Sequence, residues 1–90
     1  MMILYEKAKA LAQETVSRLS ADGTDDLALF ENETIEIEKG WIFFYNTRSF
    51  IEDGDSIAAL AGNGPISVTK DGMVHNLPSA IPWEIAVKAS

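Results

Sequence analysis

The sequence predicts a small α+β domain in which an N-terminal amphipathic helix packs on an antiparallel sheet of about four strands. A short helix ends the chain. Three observations carry this prediction: apolar residues at helical spacing near the start, an aromatic and β-branched run in the middle, and an Asp-Gly pair between two apolar runs. With 90 residues and 47% hydrophobic content, residues 1–90 have the core of one domain, and no linker divides them.

The first twenty residues predict a helix with one apolar stripe. The residues of that stripe recur every three or four positions: Leu4, Ala8, Leu11, Ala12, Thr15, Val16 and Leu19. We interpret the stripe as core packing, because the opposite face lacks the bases of a membrane-surface helix. Gly23 then provides a left-handed stop for the helix.

Residues 22–38 combine strand composition with an acidic run that contains no base. The acids are Asp22, Asp25, Asp26, Glu31, Glu33, Glu36 and Glu38. Leu27–Phe30 and Thr34–Glu38 read as strand pieces, with residues 31–33 as a turn or bulge between them. One bent strand and two separate strands both fit this pattern.

The strongest strand signal is the run Trp41–Tyr45, which is aromatic and β-branched. A two-residue turn at Lys39-Gly40 would place Glu38 opposite Trp41. One face of the resulting hairpin is an apolar core layer, made of Ile35, Ile37, Ile42 and Phe44. The other face is either partly covered or a binding surface, and it carries Glu36, Glu38, Trp41, Phe43 and Tyr45.

Turn signals punctuate the second half of the chain. Residues 53–55 predict a turn, Ser56–Ala61 a helical turn ended by Gly62, and residues 62–65 a further turn. Asp71-Gly72 then predicts a type I′ hairpin turn. That turn sets Val68 opposite His75 and Ile66 opposite Leu77, and Pro82 suits the first turn of a helix over Trp83–Ala89.

The composition excludes several classes of site and location. Without cysteine there is no disulfide, thiolate metal site or cysteine nucleophile. No apolar run approaches the roughly 20 residues of a membrane span, and Glu6, Lys7 and Lys9 interrupt any signal peptide. We therefore expect a cytoplasmic protein that binds no cofactor and no metal.

Candidate catalytic residues are few. The single histidine, His75, is interpreted as a core or boundary residue rather than a general base or metal ligand. Asp22, Thr24, Asp26 and Glu33 have the spacing of an EF-hand, but Leu27 stands where that loop needs glycine. Phosphate-loop and nucleophile-elbow motifs are absent, so the sequence does not predict an enzyme.

Charge indicates the kind of partner. Fourteen acids against 7 bases give a formal net charge of −7, which disfavours binding to nucleic acid or an anionic membrane. A protein with a basic surface is the partner that this charge favours. The predicted contact residues are Glu31, Glu33, Glu36, Glu38 and Trp41, although core packing explains Trp41 equally well. An open aromatic face would also serve as a homodimer seam.

The middle and end of the chain resemble the YrhB-like family, also called the immunity protein 35 family. The resemblance lies in Gly40–Asn46, Phe50–Asp55, Leu60–Ile66 and the Asp71-Gly72 hairpin as far as His75, and it covers about residues 34–84. Two departures are Gly64, where alanine is more usual in the family, and the Leu77–Ala80 segment in place of a Gly-Thr-Ala-like turn.

The resemblance implies a non-enzymatic α+β immunity protein that neutralises a cognate toxin by binding it in the bacterial cytoplasm. It implies no catalytic residues, and the motif residues Gly40, Trp41, Gly54, Gly62, Asn63 and Pro65 have structural roles in strands and turns. Two alternatives stay open. One is a chaperone-like general interaction module, and the other is a small enzyme or ligand-binding domain built around His75.

Overall fold

A computed structural model describes residues 2–23, 26–55 and 64–89 and has the predicted α+β arrangement. The helices are α1 (Tyr5–Asp22), α2 (Arg48–Asp53) and α3 (Trp83–Ala89). The strands are β1 (Leu27–Leu29), β2 (Ile35–Ile37), β3 (Gly40–Phe43), β4 (Tyr45–Thr47), β5 (Ile66–Thr69) and β6 (Val74–Asn76), and a 3₁₀ turn spans Glu31–Glu33. The predicted helical turn at Ser56–Ala61 lies outside the described residues. No helix in the described ranges is long and apolar enough to cross a membrane.

Two antiparallel sheets organise the strands. The larger has the order β2-β3-β5-β6, and the smaller pairs β1 with β4. Leu27–Phe30 and Thr34–Glu38 therefore supply two separate strands, which resolves the alternative that the sequence left open. The aromatic run also divides, because β3 ends at Phe43 and the chain continues through Phe44 into β4 of the smaller sheet.

The main core lies between α1 and the larger sheet. Small side chains on the helix, Ala8, Ala12 and Val16, are buried against Trp41, Phe43, Ile66 and Val68. Because the side chains on the buried face of α1 are short, they leave room for the large rings of β3. Those rings fill the space between the helix and the sheet. Leu4, expected in the stripe, is 78% exposed because the helix begins one residue later.

The opposite face of the same sheet packs against α3. Ile42, Leu77 and Ala86 form a second buried cluster, with Trp83 and Val87 against it. The Pro82 carbonyl accepts hydrogen bonds from the amides of Ile85 and Ala86, at 3.0 Å each, so the helix begins where the proline predicts. Both faces of β3 are thus covered, and the aromatic side chains Trp41 and Phe43, whose face the sequence left undecided, lie in the main core. We call the two sides of the sheet the α1 face and the α3 face.

The first hairpin turns one residue earlier than predicted. Ile37 pairs with Gly40 and Glu36 with Trp41, so the turn residues are Glu38 and Lys39. Moving the turn by one residue changes the pairing by two, and side chains keep their faces because strands alternate with period two. The predicted partners were wrong, but the predicted division into two faces was right.

The second hairpin has a different register from the predicted one. Val68 pairs with Val74 and Ser67 with His75, a one-residue slip that exchanges the faces of β6. The Thr69 amide donates to the Met73 carbonyl, which makes Lys70–Gly72 a three-residue loop. Gly72 has φ 90°, as expected for a type I turn closed by a left-handed residue rather than a type I′ turn.

Two glycines in the predicted turns differ in conformation. Gly23 ends α1 in an extended conformation, with φ −110° and its amide bonded to the Leu19 carbonyl, so the predicted left-handed stop is wrong. Gly54 does adopt the left-handed conformation, with φ 69°, and closes α2 in the predicted turn. The sequence did not predict α2 itself. Thr47 begins it, because its hydroxyl accepts a hydrogen bond from the Phe50 amide at 3.2 Å.

Candidate interaction site

Three exposed carboxylates surround strand β2, which is an outer strand of the larger sheet. Glu36 lies in the strand, Glu33 in the 3₁₀ turn before it and Glu38 in the hairpin turn after it. No basic residue in the described part of the chain forms an ion pair with any of them. We call this group, Glu33, Glu36 and Glu38, the acidic edge.

Other acids of the same run are neutralised by bases from distant elements. The Lys9 ammonium lies 2.6 Å from the Glu31 carboxylate, and this hydrogen bond raises the pKa of Lys9 above its ordinary value. The Arg48 guanidinium lies 3.1 Å from the Asp26 carboxylate. The acidic run contains no base in the sequence, but Lys9 and Arg48 come next to two of its acids in the fold. Glu31 is therefore already paired with a base, whereas the carboxylates of the acidic edge are available to a basic partner.

Trp41 lies in the core beneath α1. The residue is only 6% exposed, and Tyr5 of the helix packs edge-on to its ring at 6.3 Å. Tyr5 also stacks on Phe43 at 6.0 Å. Core packing, one of the two interpretations of Trp41, is therefore the arrangement found, and only the rim of the residue reaches the surface.

Two surface depressions lie beside β2, one on each face of the sheet. The depression on the α1 face has a volume of about 330 Å³ and is lined by Tyr5, Glu36 and Trp41 among others. The depression on the α3 face has a volume of about 480 Å³, and its apolar lining includes Ile35 and Phe44. An acidic side chain thus lines each depression, Glu36 on the α1 face and Glu33 on the α3 face, and the α3-face depression adds the apolar side chains of Ile35 and Phe44.

Thr34 lines both depressions at the start of β2. Its hydroxyl oxygen is buried and has no hydrogen-bond partner among the described residues. A buried hydroxyl without a partner is unfavourable by about 1–3 kcal/mol.

His75 is half-buried on the α3 face beside Leu77, rather than on the face of Ile66 and Val68 where the predicted register had it. It lines a cavity of about 70 Å³ with Ser67 and Val87, and no carboxylate lines that cavity to orient the imidazole. The described residues hold no cluster of three metal-ligating side chains. This environment fits the boundary histidine that the sequence indicates.

Sequence reasoning missed the residues that shape the two depressions. Tyr5 lies one helical turn before Ala8 on the buried stripe, a spacing that would have placed its ring over β3. Phe30 and Phe44 were placed in strands, but their approach depends on the meeting of two sheets. Phe30 donates its amide to the Phe44 carbonyl at 2.7 Å, a contact that no local pattern signals.

The family is decided by comparison with known sequences. The family described as immunity protein 35 matches residues 6–89. The chain belongs to this family. This confirms the resemblance found in the sequence, and membership supports a role as an immunity protein.

A curated relative also matches part of the chain. Over 47 residues the chain is 47% identical to the Escherichia coli K12 protein named "Uncharacterized protein YrhB". The match covers 51% of this chain and 50% of that protein, so the chain spans about half the length of the curated relative it matches. No solved structure matches the chain.

Proposed function

We propose that this protein neutralises a cognate bacterial toxin by binding to it, without catalysis, and that the acidic edge forms part of the contact surface. The observation that carries the proposal is the set of three exposed carboxylates with no ion pair among the described residues, in a chain of the immunity protein 35 family. Charges that are already paired within a protein contribute little to the attraction of a binding partner. Unpaired exposed ones steer association and select a basic surface.

The chain's net charge of −7 favours a partner with a basic surface over nucleic acid or an anionic membrane. Such a partner meets carboxylates at Glu33, Glu36 and Glu38. Glu31 and the rim of Trp41 lie beside Glu36 in the α1-face depression. The proposed contact residues are therefore the five that the sequence indicates. Of these, Glu31 is also ion-paired with Lys9, and Trp41 exposes only its rim. We place the encounter in the bacterial cytoplasm.

The proposal is tested by capture followed by neutralisation. The chain is immobilised, exposed to a lysate of its host and washed at low and high salt. We expect one stoichiometric partner that is released more readily at high salt. That partner is then expressed with and without this chain, and growth should be lost only without it. A captured partner whose toxicity the chain does not relieve would contradict the proposal.

A chaperone-like role is the second candidate, supported by exposed apolar side chains near the N-terminus. Met2 and Leu4 are 70% and 78% exposed, and Met73 is 54% exposed. Ile3 donates its amide to the Lys70 carbonyl at 2.6 Å, which holds the terminus against the hairpin loop that leads to Met73. Suppressed aggregation of unrelated unfolded proteins, lost when these side chains become polar, would support this role over a single tight partner.

A further inference from the structure

Among the described residues, β2 has no neighbouring strand on its outer side. The Lys70 amide donates to the Lys39 carbonyl at 2.8 Å, so the backbone of Lys39 faces β5. Backbone groups of successive strand residues point to alternate sides, and Trp41, paired with Val68, therefore also bonds to β5. Gly40 and Ile42 bond to β2 instead.

The same alternation determines, for each residue of β2, whether its backbone N–H and C=O groups point towards β3 or away from it. Ile35 and Ile37, paired with Ile42 and Gly40, turn their backbone groups inward. Glu36 turns its N–H and C=O outward, and no described strand lies beyond β2 to receive them. An unpaired donor and acceptor on an edge strand are a template for another strand.

Side chains on the two faces indicate which strand this template accepts. The α1 face offers the Glu36 carboxylate and a depression lined by Tyr5 and Trp41. The α3 face offers Ile35, 37% exposed, beside a depression that combines the Phe44 ring with the Glu33 side chain. Successive side chains of an added strand enter the two faces alternately. Basic residues on one side of the added strand therefore meet the Glu36 carboxylate and aromatic rims, while apolar residues on its other side pack against Ile35 and Phe44.

We propose that an extended segment of the partner, with alternating basic and apolar side chains, adds to the outer edge of β2 as a fifth strand of the sheet. The inference rests on the proposed function in taking the toxin as the source of that segment. The binding mode, however, is testable without it.

The acids of the edge also discriminate against a second copy of this chain. Two β2 strands side by side would bring the Glu36 carboxylates of both copies together with the neighbouring acids, and like charges on paired strands are destabilising. Charge complementarity therefore selects a basic strand and rejects self-association through this edge.

The test uses a labelled synthetic peptide that alternates Arg and Val, and a block peptide of the same composition with all Arg before all Val. Fluorescence anisotropy compares their affinities at low salt. We expect the alternating peptide to bind at least about tenfold more tightly, because only it presents charge and apolar surface to the correct faces. Equal affinities would overturn the inference and leave a merely electrostatic attraction.

Backbone pairing has its own variant and matched control. Glu36→Pro removes the outward N–H without breaking the β2–β3 ladder, while Glu36→Gln keeps that N–H and removes the same charge. We expect Glu36→Pro to bind about tenfold more weakly than Glu36→Gln. If Glu36→Pro fails to fold, the synthetic peptide is changed instead of the protein. Two peptides are made, each with N-methylated backbone amides along one of the two edges of the extended chain, and only methylation of the edge that faces β2 should weaken binding to the wild-type protein.

Hydrogen exchange provides a direct readout at Glu36. In the free protein its amide should exchange faster than those of Ile35 and Ile37, and the alternating peptide should slow it. A Glu36 amide that stays unprotected at saturating peptide would overturn the inference. Toxin capture retained by Glu36→Pro would reject this binding mode and leave the proposed function standing. Peptide addition at the edge, with no toxin neutralised, would reject the function and leave the site.

Discussion

Glu36 and Trp41 lie directly opposite each other across the β2–β3 ladder, yet the glutamate is exposed and the tryptophan is 6% exposed. Both side chains point to the α1 face. The difference arises because α1 packs on β3 and β5, whereas at the outer strand the Tyr5 ring and Glu36 line an open depression. The acidic edge is therefore attached directly to the most buried part of the fold.

This pair predicts opposite effects of truncation on stability. Trp41→Ala should lower the free energy of unfolding by about 3–5 kcal/mol, because a buried ring is replaced by a cavity beneath α1. Glu36→Ala should change it by no more than about 0.5 kcal/mol. Urea denaturation followed by circular dichroism measures both. A Trp41→Ala loss as small as that of Glu36→Ala would contradict the assignment of Trp41 to the core.

Gly40 and Gly23 form a second matched pair. A Cβ at Gly40 would overlap the carbonyl of Val68 on the neighbouring strand, whereas one at Gly23 would lie 3.4 Å from the Leu19 carbonyl oxygen, close to ordinary contact. Gly40→Ala should therefore destabilise the fold by about 1–3 kcal/mol as β3 and β5 are forced apart. Gly23→Ala, at an extended φ, should be neutral or stabilising by up to about 1 kcal/mol. Thermal unfolding of both variants checks the sign of each change.

The two hairpins show how far the sequence predicts the fold. Moving the first turn by one residue preserved the faces of Glu36 and Trp41, because the pairing changed by two. The second hairpin lost its predicted faces, because Asp71-Gly72 suits both a two-residue and a three-residue loop. The outcome depends on Thr69, whose hydroxyl bonds the Asp71 carboxylate and also accepts the Met73 amide at 3.0 Å. Turn propensities do not include these side-chain hydrogen bonds, so they do not predict which loop length forms.

The sequence predicts the negative charge of the candidate site, but not the residues that pack against it or pair with it. The acidic run identified Glu33, Glu36 and Glu38 because exposed acids are visible in composition. The pairing of Glu31 with Lys9 depends on a helix more than twenty residues away in the sequence, so only tertiary structure reveals it. The burial of Trp41 likewise depends on the alanines of α1 rather than on its own strand.

The Lys9–Glu31 pair predicts a pH dependence at the alkaline end. Its hydrogen bond raises the pKa of Lys9 above the ordinary 10.5, so the contribution to stability is fully present below that pH. The contribution is lost as pH rises through the higher pKa of the folded state. The difference in unfolding free energy between the wild-type chain and Lys9→Gln should therefore be constant near neutrality and shrink above 10.5. Guanidinium denaturation over a pH series measures it, and a difference that grows with pH would show the sign to be wrong.

The environment of His75 predicts that its side chain is dispensable for function. No carboxylate of the described residues lines its cavity, and the imidazole faces α3 rather than the acidic edge. His75→Ala should leave toxin neutralisation unchanged in the growth assay while lowering stability by about 1 kcal/mol. His75→Gln serves as the control that keeps a hydrogen-bonding group in place. Loss of neutralisation by both variants, with the fold intact, would point to a ligand-binding or catalytic role instead.

Charge reversal at the acidic edge predicts slower association with the toxin. The double variant Glu36→Lys with Glu38→Lys should lower the association rate by about tenfold or more at low salt, with a smaller effect on dissociation, because exposed charges act mainly by steering the encounter. The matched control is Asp53→Lys with Glu84→Lys, which alters the net charge equally at exposed positions of α2 and α3 that have no ion pair among the described residues. Stopped-flow or surface-based kinetics would compare the two at rising ionic strength, where the difference should disappear as the Debye length falls below about 10 Å. Equal slowing by both variants would mean that net charge alone steers the toxin, and the acidic edge would then have no special part in the encounter.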